Sequence, residues 1–341
     1  MQPDDYSASD NSTDLDGEPS DDISPLRMQV DANAAGQRLD RLLSGWLSTH
    51  SRARLQGWIE EGAVLVNGQV VRPSRVLRAL DWIDVNPPAP EPQGEWLAEP
   101  MPLVILHEDE SVLVVNKPAG LVVHPAAGHA HGTLLNGLLH HCPTLREVPR
   151  AGIVHRLDQD TTGLMVVAKT LEAQTELVRQ LQARTVQRRY LALAWGELRQ
   201  QRSVIGQLGR DPRDRQRMAV LPEPQGKPAT THLQPKAVGL WENKAVSLIE
   251  CRLETGRTHQ IRVHLQSIGL PILGDQTYRQ AAPRLSLPGG WARQALHAAS
   301  LRFDHPVTGD AVLVQAAPPA DFQDLVAAVG ISLDDLVLVH D

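Results

Sequence analysis

The chain has 341 residues, a net charge of −7 and 42% hydrophobic residues, which is enough for about two globular domains with buried cores. Its apolar runs are all shorter than the roughly 20 residues that a membrane-spanning helix needs, and its N-terminus lacks the basic and then apolar layout of a secretory signal. Cys142 and Cys251 are the only cysteines and show no CxxC spacing, which excludes a disulfide scaffold. We therefore expect a cytoplasmic protein with no membrane partner.

Residues 1–27 are predicted to form a disordered acidic tail. The first 26 residues contain eight acidic side chains and no Lys or Arg, and such a composition buries too little surface to offset the entropy of ordering the chain. Removing these eight negative charges from the total of −7 leaves a net charge of +1, so the overall charge does not argue against a nucleic-acid partner. The tail either competes weakly with such a partner for a basic face or serves only as a solubilising leader.

Residues 28–90 are predicted to form a small module of two helices and a hairpin. Leucines such as Leu39 and Leu43 fall at helical spacing, and the dipeptide NG at 67–68 between two β-prone runs is a strong hairpin signal. The segment 38–78 has seven arginines against three acidic residues. This balance indicates either a nucleic-acid-binding face or an ordinary solvated surface.

A second, larger domain is predicted beyond a linker. Residues 91–102 are Pro-rich and lack periodicity, which is typical of a semi-rigid linker. Short β-prone runs alternate with turn residues over 103–325, and the apolar spacing over 171–184 predicts a helix. These features indicate an α+β domain with a sheet core, and residues 326–341 are expected to form a C-terminal tail.

The stretch HRLDQDTTGL, residues 155–164, is predicted to be a loop between two strands. Gly163 permits a tight bend at its end, and loops on a rigid sheet are where catalytic residues are usually found. Asp158 in this loop either carries chemistry or caps a turn and pairs with Arg156. The stretch alone does not distinguish the two interpretations.

Several motifs in the chain occur together in a particular order. They are VNKPAGLVVHP at 115–125, AGIVHRLDQDTTGLMVVAKT at 151–170, RRYLAL at 188–193 and LETGRTHQIRVHL at 253–265. Together they resemble the pseudouridine synthases of the RluA type, and the basic module at 28–90 resembles the S4 RNA-binding domain. The resemblance runs from about 37 to 318. It implies an α+β fold in which a small S4-like domain precedes a catalytic domain with a mixed, mainly antiparallel sheet.

The resemblance also implies an activity and a substrate. Members of the family convert uridine to pseudouridine by breaking the N1–C1′ glycosidic bond, turning the uracil and rejoining it through C5. No atom is gained or lost, so no cofactor is expected. The implied substrate is large-subunit (23S) ribosomal RNA, free or in a pre-ribosomal particle, at the stem-loop that faces the decoding centre. We expect a monomeric isomerase.

The resemblance assigns roles to particular residues. Asp158 is the expected nucleophile or base, held in a desolvated, bidentate ion pair with Arg262. Tyr190 is expected to stack on the target base, and Arg156 to enter the space that the flipped nucleotide vacates. RNA contacts of the S4-like domain are expected from Arg38, Arg41, Arg52, Arg54, Arg72 and Arg75. Whether the carboxylate attacks C6 of uracil or acts at the ribose stays open.

Two rival hypotheses compete with this assignment. A His-rich stretch from His124 to Cys142 suggests a metal hydrolase, but its spacing fits no HExxH or paired-cysteine site, so no metal site is predicted. The alternative is a non-catalytic S4-type RNA-binding or ribosome-assembly factor with a dead catalytic domain. The presence of Asp158, Tyr190 and Arg262 argues against a dead site.

Overall fold

A computed structural model gives the structure of the chain, which divides into two compact units, Met1–Glu95 and Trp96–Asp341. The described residues are 26–47, 52–86, 96–125, 131–214, 217–279, 282–283 and 285–336. Most of the predicted acidic tail, residues 1–25, lies outside them, as do residues 91–95 of the predicted linker.

The first unit is a small sheet covered by two helices. Its strands are β1 (Leu26–Gln29), β2 (Val64–Val66), β3 (Gln69–Val70) and β4 (Trp82–Val85), and its helices are α1 (Leu39–Trp46) and α2 (Arg52–Glu60). The strands pair in the order β1-β4-β2-β3, and each pair is antiparallel. Leu39 and Leu43 of α1 and Leu55 and Ile59 of α2 are fully buried in one core, because apolar residues four apart share one face of a helix.

The hairpin predicted at 67–68 is confirmed. Asn67 and Gly68 have φ values of 53° and 75°, and positive φ at both central residues is what the tight turn of a two-residue hairpin requires. The Asn67 side chain adds two bonds, donating to Asp81 at 2.8 Å and accepting from the backbone N–H of Trp82 at 2.8 Å. The turn is therefore anchored to the neighbouring strand β4 as well as to its own hairpin.

The second unit is built on a ten-stranded sheet, counted over the described residues. Its strands are β5 (Ile105–Glu108), β6 (Val112–Lys117), β7 (Thr162–Ala168), β8 (Gln187–Trp195), β9 (Arg202–Arg210), β10 (Met218–Leu221), β11 (Lys227–Trp241), β12 (Lys244–Leu253), β13 (Leu296–Asp304) and β14 (Ala311–Gln315). Its helices are α3 (Leu134–His141), α4 (Leu171–Gln182), α5 (Gln260–Ser267) and α6 (Ala320–Ala328), with short 3-10 turns at Pro143–Glu147, Pro149–Gly152, Pro288–Gly290 and Leu333–Leu336.

The sheet of the second unit is mixed and mainly antiparallel, as predicted. The strands lie in the order β10-β9-β11-β12-β8-β13-β7-β6-β5, with β14 paired to β13. Strands β7 and β13 are parallel, and the other pairs between the described strands are antiparallel. The predicted fold class is confirmed.

Both faces of this sheet are covered. Successive residues of a strand point to opposite faces, and along β6 Val112 and Val114 join one buried cluster while Leu113 and Val115 join another. Helix α4 packs into the first cluster and α3 into the second. Since both faces are occupied by packing, the loops at the strand ends are left to carry the functional site.

The chain beyond residue 325 packs into the main core. Val326, Val329 and Ile331 are at most 5% exposed, and the carbonyl of Val329 accepts a hydrogen bond from the backbone of Leu240 at 2.8 Å. The boundary predicted at residue 325 thus falls inside α6, because the apolar residues that follow it cover strand β11. Residues 337–341 of the predicted tail lie outside the described residues.

Gly163 allows β7 and β13 to approach closely. An ideal Cβ at Gly163 would lie 2.2 Å from the carbonyl oxygen of Ala298, and its φ is +114°. We expect Gly163→Ala to lower the free energy of unfolding by about 3 kcal/mol or more, because it adds a backbone clash to a strained φ. Gly309→Ala is the control, since Gly309 also has a positive φ but nothing within 4 Å of an added Cβ. Urea unfolding measures both, and equal losses would contradict the close approach.

Candidate active site

A cleft of about 340 Å³ opens beside the predicted loop at 155–164. Three of the predicted site residues, Arg156, Asp158 and Arg262, line it. Asp158 precedes β7 in the sequence and Arg262 lies on α5, yet the two side chains meet across 104 positions of the chain. The tertiary structure therefore assembles most of the predicted site in one place.

The ion pair of Asp158 with Arg262 is confirmed, but its predicted bidentate geometry is wrong. Nη1 of Arg262 donates one hydrogen bond to Oδ2 of Asp158 at 2.8 Å. The bidentate partner is Asp275, which accepts from Nε at 2.7 Å and from Nη2 at 3.0 Å. Asp275 binds the Nε edge of the guanidinium, which is one of its forks of two parallel donors, and Asp158 accepts from Nη1 alone.

Asp275 anchors the arginine in the interior. Its side chain is fully buried and that of Arg262 is 7% exposed. Burial acts to raise the pKa of Asp275, but the hydrogen bonds and charge of Arg262, with the backbone N–H groups of Thr277 and Tyr278, outweigh it and lower the pKa. Burial likewise acts to lower the pKa of Arg262, and the two carboxylates reverse this and raise it. Arg262 therefore stays charged beside Asp158.

The two oxygens of Asp158 have different surroundings. Oδ2 accepts the bond from Arg262, whereas Oδ1 receives no hydrogen bond from any of the described residues, and Nε2 of His259 lies 3.9 Å from it. The side chain is 18% exposed. One oxygen is thus held in place and the other is open to a ligand in the cleft.

His259 is a site residue that the sequence analysis did not select. Nδ1 of His259 lies 2.8 Å from the hydroxyl of Tyr278, and that hydroxyl accepts the backbone N–H of Met218 at 2.7 Å. The ring is thus tied to Tyr278 through Nδ1, and Nε2 is the ring nitrogen that faces Asp158. Burial lowers the pKa of His259, so the ring is neutral near neutral pH. Its position inside the GRTHQIR motif was the available signal.

Lys117, in the motif at 115–125, has a structural role. Its ammonium donates to the carbonyls of Pro118 at 2.8 Å, Leu121 at 3.0 Å and Gln159 at 2.7 Å. Burial lowers the pKa of Lys117 to about 8. The lysine joins the loop after β6 to the residue that follows Asp158, and so restricts the position of Asp158.

Tyr190 and Arg156 differ in their surroundings. Tyr190 on β8 is 5% exposed and is not among the cleft-lining side chains. Burial raises its pKa, and the charge of Asp158 adds to this effect, which places the ring near that carboxylate. Arg156 is exposed and has no ion-pair partner among the described residues. The alternative in which it pairs with Asp158 is therefore not observed.

The arginines predicted to contact RNA in the first unit fall into three groups. Arg41, Arg72 and Arg75 are exposed and have no ion-pair partner within the described part of the chain. Arg38 is paired with the buried Asp40 through Nε at 3.0 Å and Nη2 at 3.1 Å. The side chains of Arg52 and Arg54 lie outside the described residues.

Two further features concern metal ions and membranes. Among the described residues, no group of three or more His, Cys, Asp or Glu side chains is arranged to hold a metal ion. In the described parts of the chain there is also no helix with the length and apolar character needed to span a bilayer.

Comparison with known proteins gives the family. A family model described as RNA pseudouridylate synthase matches residues 111–267, and the S4 domain model matches residues 37–83. The ribosomal large subunit pseudouridine synthase D of Nitrosomonas europaea is 48% identical over 307 residues, covering 89% of this chain and 88% of that protein. Its namesake from Pseudomonas aeruginosa is 47% identical over 305 residues, covering 86% and 92%.

A solved structure agrees with this assignment. The human RNA pseudouridylate synthase domain containing 1 aligns with a TM-score of 0.53 at 30% identity, over 70% of this chain and 95% of that chain. An S4 unit, a mixed sheet and a cleft with an Arg-paired Asp define an RNA-modifying isomerase. The chain belongs to the RNA pseudouridylate synthase family, which confirms the resemblance seen in its motifs. The relatives it matches over most of its length are the bacterial synthases D.

The Arg262–Asp275 pair generates a stability prediction. We expect Asp275→Asn to lower the free energy of unfolding by about 3–5 kcal/mol, because the buried Arg262 loses the negative charge that faces its Nε and Nη2 atoms. Asp321→Asn is the control, since Asp321 pairs with Arg293 but its side chain is 54% exposed, and loss of an exposed pair costs about 1 kcal/mol or less. Chemical denaturation measures both variants, and a small loss for Asp275→Asn would contradict its anchoring role.

The same pair predicts a pH dependence. The pKa of Asp275 is lowered in the folded protein, so its contribution is fully present above the ordinary carboxyl pKa of about 4 and is lost as the pH falls through the lowered value. The stability difference between the wild type and Asp275→Asn should therefore shrink at acid pH. A difference that grows on acidification would contradict this sign.

Proposed function

We propose that the protein isomerises uridine to pseudouridine in large-subunit (23S) ribosomal RNA, with Asp158 as the catalytic carboxylate. The observation that carries the proposal is the asymmetric environment of Asp158, which is held by Arg262 at Oδ2 and open to the cleft at Oδ1. Arg262 fixes the carboxylate at 2.8 Å, so the open oxygen is held in a defined place from which it can act as a nucleophile or base.

The residues around Asp158 fit a base that is flipped into the cleft. Tyr190 offers an aromatic ring beside the carboxylate, on which an extruded base can stack. Arg156 is exposed at the cleft and has no partner among the described residues, which suits a side chain that fills the gap left in the RNA. The free Oδ1 of Asp158 serves attack at C6 of uracil and chemistry at the ribose equally well.

The names of the relatives support the proposed substrate, large-subunit ribosomal RNA. They are ribosomal large subunit pseudouridine synthases and cover both the S4 unit and the catalytic unit. We extend the proposal to the stem-loop that faces the decoding centre, in ribosomal RNA or a pre-ribosomal particle, with the enzyme acting as a cytoplasmic monomer. A protein that binds RNA through its S4 unit without chemistry is the alternative that the next experiment distinguishes.

Asp158→Asn tests the catalytic assignment. The amide keeps the size of the side chain but removes its charge and its reactive oxygen, so we expect pseudouridine formation to fall by about 10⁴-fold or more. RNA affinity should change by less than about 1 kcal/mol. The rate is measured by mapping pseudouridine in large-subunit RNA under single-turnover conditions, and the affinity by titration.

Asp310→Asn is the matched control, because Asp310 is exposed in the turn between β13 and β14. It should form pseudouridine at the wild-type rate. Normal yield from purified Asp158→Asn would remove the catalytic role of this residue. A wild-type protein that binds ribosomal RNA but forms no pseudouridine at any position would favour the binding-only alternative.

The unpaired arginines of the first unit predict a salt dependence. If Arg41, Arg72 and Arg75 contact phosphates, replacing all three by Ala should weaken RNA binding and reduce the slope of log affinity against log salt by about 1 per lost contact. Arg27→Ala is the control, since Arg27 already pairs with Asp84 at 2.9 Å. An unchanged slope in the triple variant would place the RNA contacts elsewhere.

A further inference from the structure

Arg188 on β8 is a buried arginine with no counter-ion among the described residues. It is 7% exposed, and its Nε is buried with no hydrogen-bond partner. Within the described part of the chain, no carboxylate or carbonyl accepts from its other nitrogens. Burial lowers the pKa of Arg188. By contrast, the equally buried Arg262 has two carboxylate partners, and an unpaired buried charge is costly to the free protein.

Two further donors without acceptors lie near Arg188. Side chains two apart on a strand share a face, so Arg188 and Tyr190 lie on the same side of β8, and the hydroxyl of Tyr190 forms no hydrogen bond with a described residue. Nε2 of His155 accepts the backbone N–H of Val166 at 3.1 Å, which leaves its hydrogen on Nδ1, and Nδ1 is buried without a partner.

Electrostatics places these three groups together. Burial and then the charge of Arg188 lower the pKa of His155 to about 3, and the same charge opposes the effect of burial on the pKa of Tyr190. Tyr190 pairs with Ala298 of β13, which pairs in turn with Gly163 at the end of the loop that carries Asp158, and the charge of Asp158 also affects the pKa of Tyr190. Buried hydrogen-bond donors normally have an acceptor. A group of donors without acceptors in the described protein fits a ligand that supplies acceptor atoms.

The position of the guanidinium is restricted by a glycine. An ideal Cβ on Gly256 would lie 2.6 Å from Nη1 of Arg188, so the loop that leads to His259 and α5 lies against the guanidinium. A larger residue at Gly256 would displace the head group. The loop therefore holds the charge in a defined place beside Tyr190.

We propose, resting on the function proposed above, that Arg188 contacts a carbonyl oxygen of the flipped uracil and stabilises the negative charge of the detached base. When the N1–C1′ bond breaks, its electron pair stays with uracil, which becomes an anion with charge on O2 and O4. The pair is returned when C5 bonds to C1′; C5 then loses its proton and N1 gains one. Arg188 exchanges no proton in these steps.

The burial of Arg188 favours the base over a phosphate as its ligand. Phosphates lie on the outside of RNA and carry a permanent charge, whereas Arg188 lies at the depth of Tyr190, where the ring of the target base would stack. A charge that develops only during the reaction is stabilised best by a cation already fixed in a site that excludes water. Arg188 is such a cation, since it is buried and its guanidinium is held against the loop at Gly256.

The test compares Arg188→Met, Arg188→Lys and Gly256→Ala with the control Arg189→Met. Arg189 is the next residue on β8 and is paired with Glu250 at 3.2 Å. Single-turnover rates of pseudouridine formation are measured at saturating enzyme, RNA affinity is titrated at several salt concentrations, and the midpoint of thermal unfolding is recorded for each variant.

Arg188→Met should slow the reaction by about 10²–10³-fold, with RNA affinity within about threefold of the wild type and an unchanged salt slope. Its melting temperature should rise, since an unpaired buried charge is removed. Arg188→Lys should recover part of the rate, and Gly256→Ala should show a smaller loss because it displaces the guanidinium without removing it. Arg189→Met should react at the wild-type rate and melt at a lower temperature.

A wild-type rate in Arg188→Met would overturn the proposal. A rate loss matched by an equal loss of affinity, with a salt slope reduced by about 1, would overturn it in favour of a phosphate contact. If Arg188→Met does not fold, wild-type rates in both Arg188→Lys and Gly256→Ala would overturn the proposal instead. Failure of the wild-type enzyme to form pseudouridine would instead contradict the underlying function.

Discussion

The active site depends on one arginine shared between two carboxylates. Asp275 takes the forked edge of Arg262 in the interior, and the remaining nitrogen orients Asp158 at the cleft. Asp275 is itself held by the backbone N–H groups of Thr277 and Tyr278. The guanidinium is planar, and Asp275 binds its Nε and Nη2 atoms. The interior pair therefore determines the direction of the hydrogen bond from Nη1 to Asp158. The carboxylate of Asp158 is therefore positioned by an ion pair in the interior.

The sheet brings these groups together. Asp158 lies just before β7, Tyr190 lies on β8, and both strands are neighbours of β13. The parallel pairing of β7 with β13 requires a close approach that Gly163 permits. At the same point the hydroxyl of Thr162 meets Nδ1 of His297 at 2.8 Å. The loop that carries the carboxylate thus ends at a strand whose position is set by both backbone and side-chain contacts.

Buried polar groups in the second unit are of two kinds. Asp275, Lys117 and His297 have partners for their polar atoms, and satisfied networks of this sort make a site rigid. Arg188 and His155 retain buried nitrogens without partners. Folding alone does not explain the second kind, because an unpaired donor destabilises the free protein. The contrast separates side chains that hold the site in place from Arg188, for which we propose a ligand.

The sequence by itself determined the class of fold, the hairpin at 67–68, the two helices of the first unit and the helix that begins at 171, the family, and three of the residues that meet at the cleft. These are properties of local spacing and of motifs, and the geometry of a helix or a turn depends on residues only a few positions apart. The sequence did not reveal that Asp275 rather than Asp158 takes the fork of Arg262, or that Arg38 is paired with Asp40. Nor did it indicate that the chain after residue 325 covers β11.

Only the tertiary structure decided these points. His259 contacts a hydroxyl 19 positions away, which in turn accepts the backbone N–H of Met218 across 60 positions, and Arg262 reaches Asp158 across 104. Which carboxylate a guanidinium binds depends on distance, burial and competing donors in three dimensions. No local pattern of residues determines these quantities.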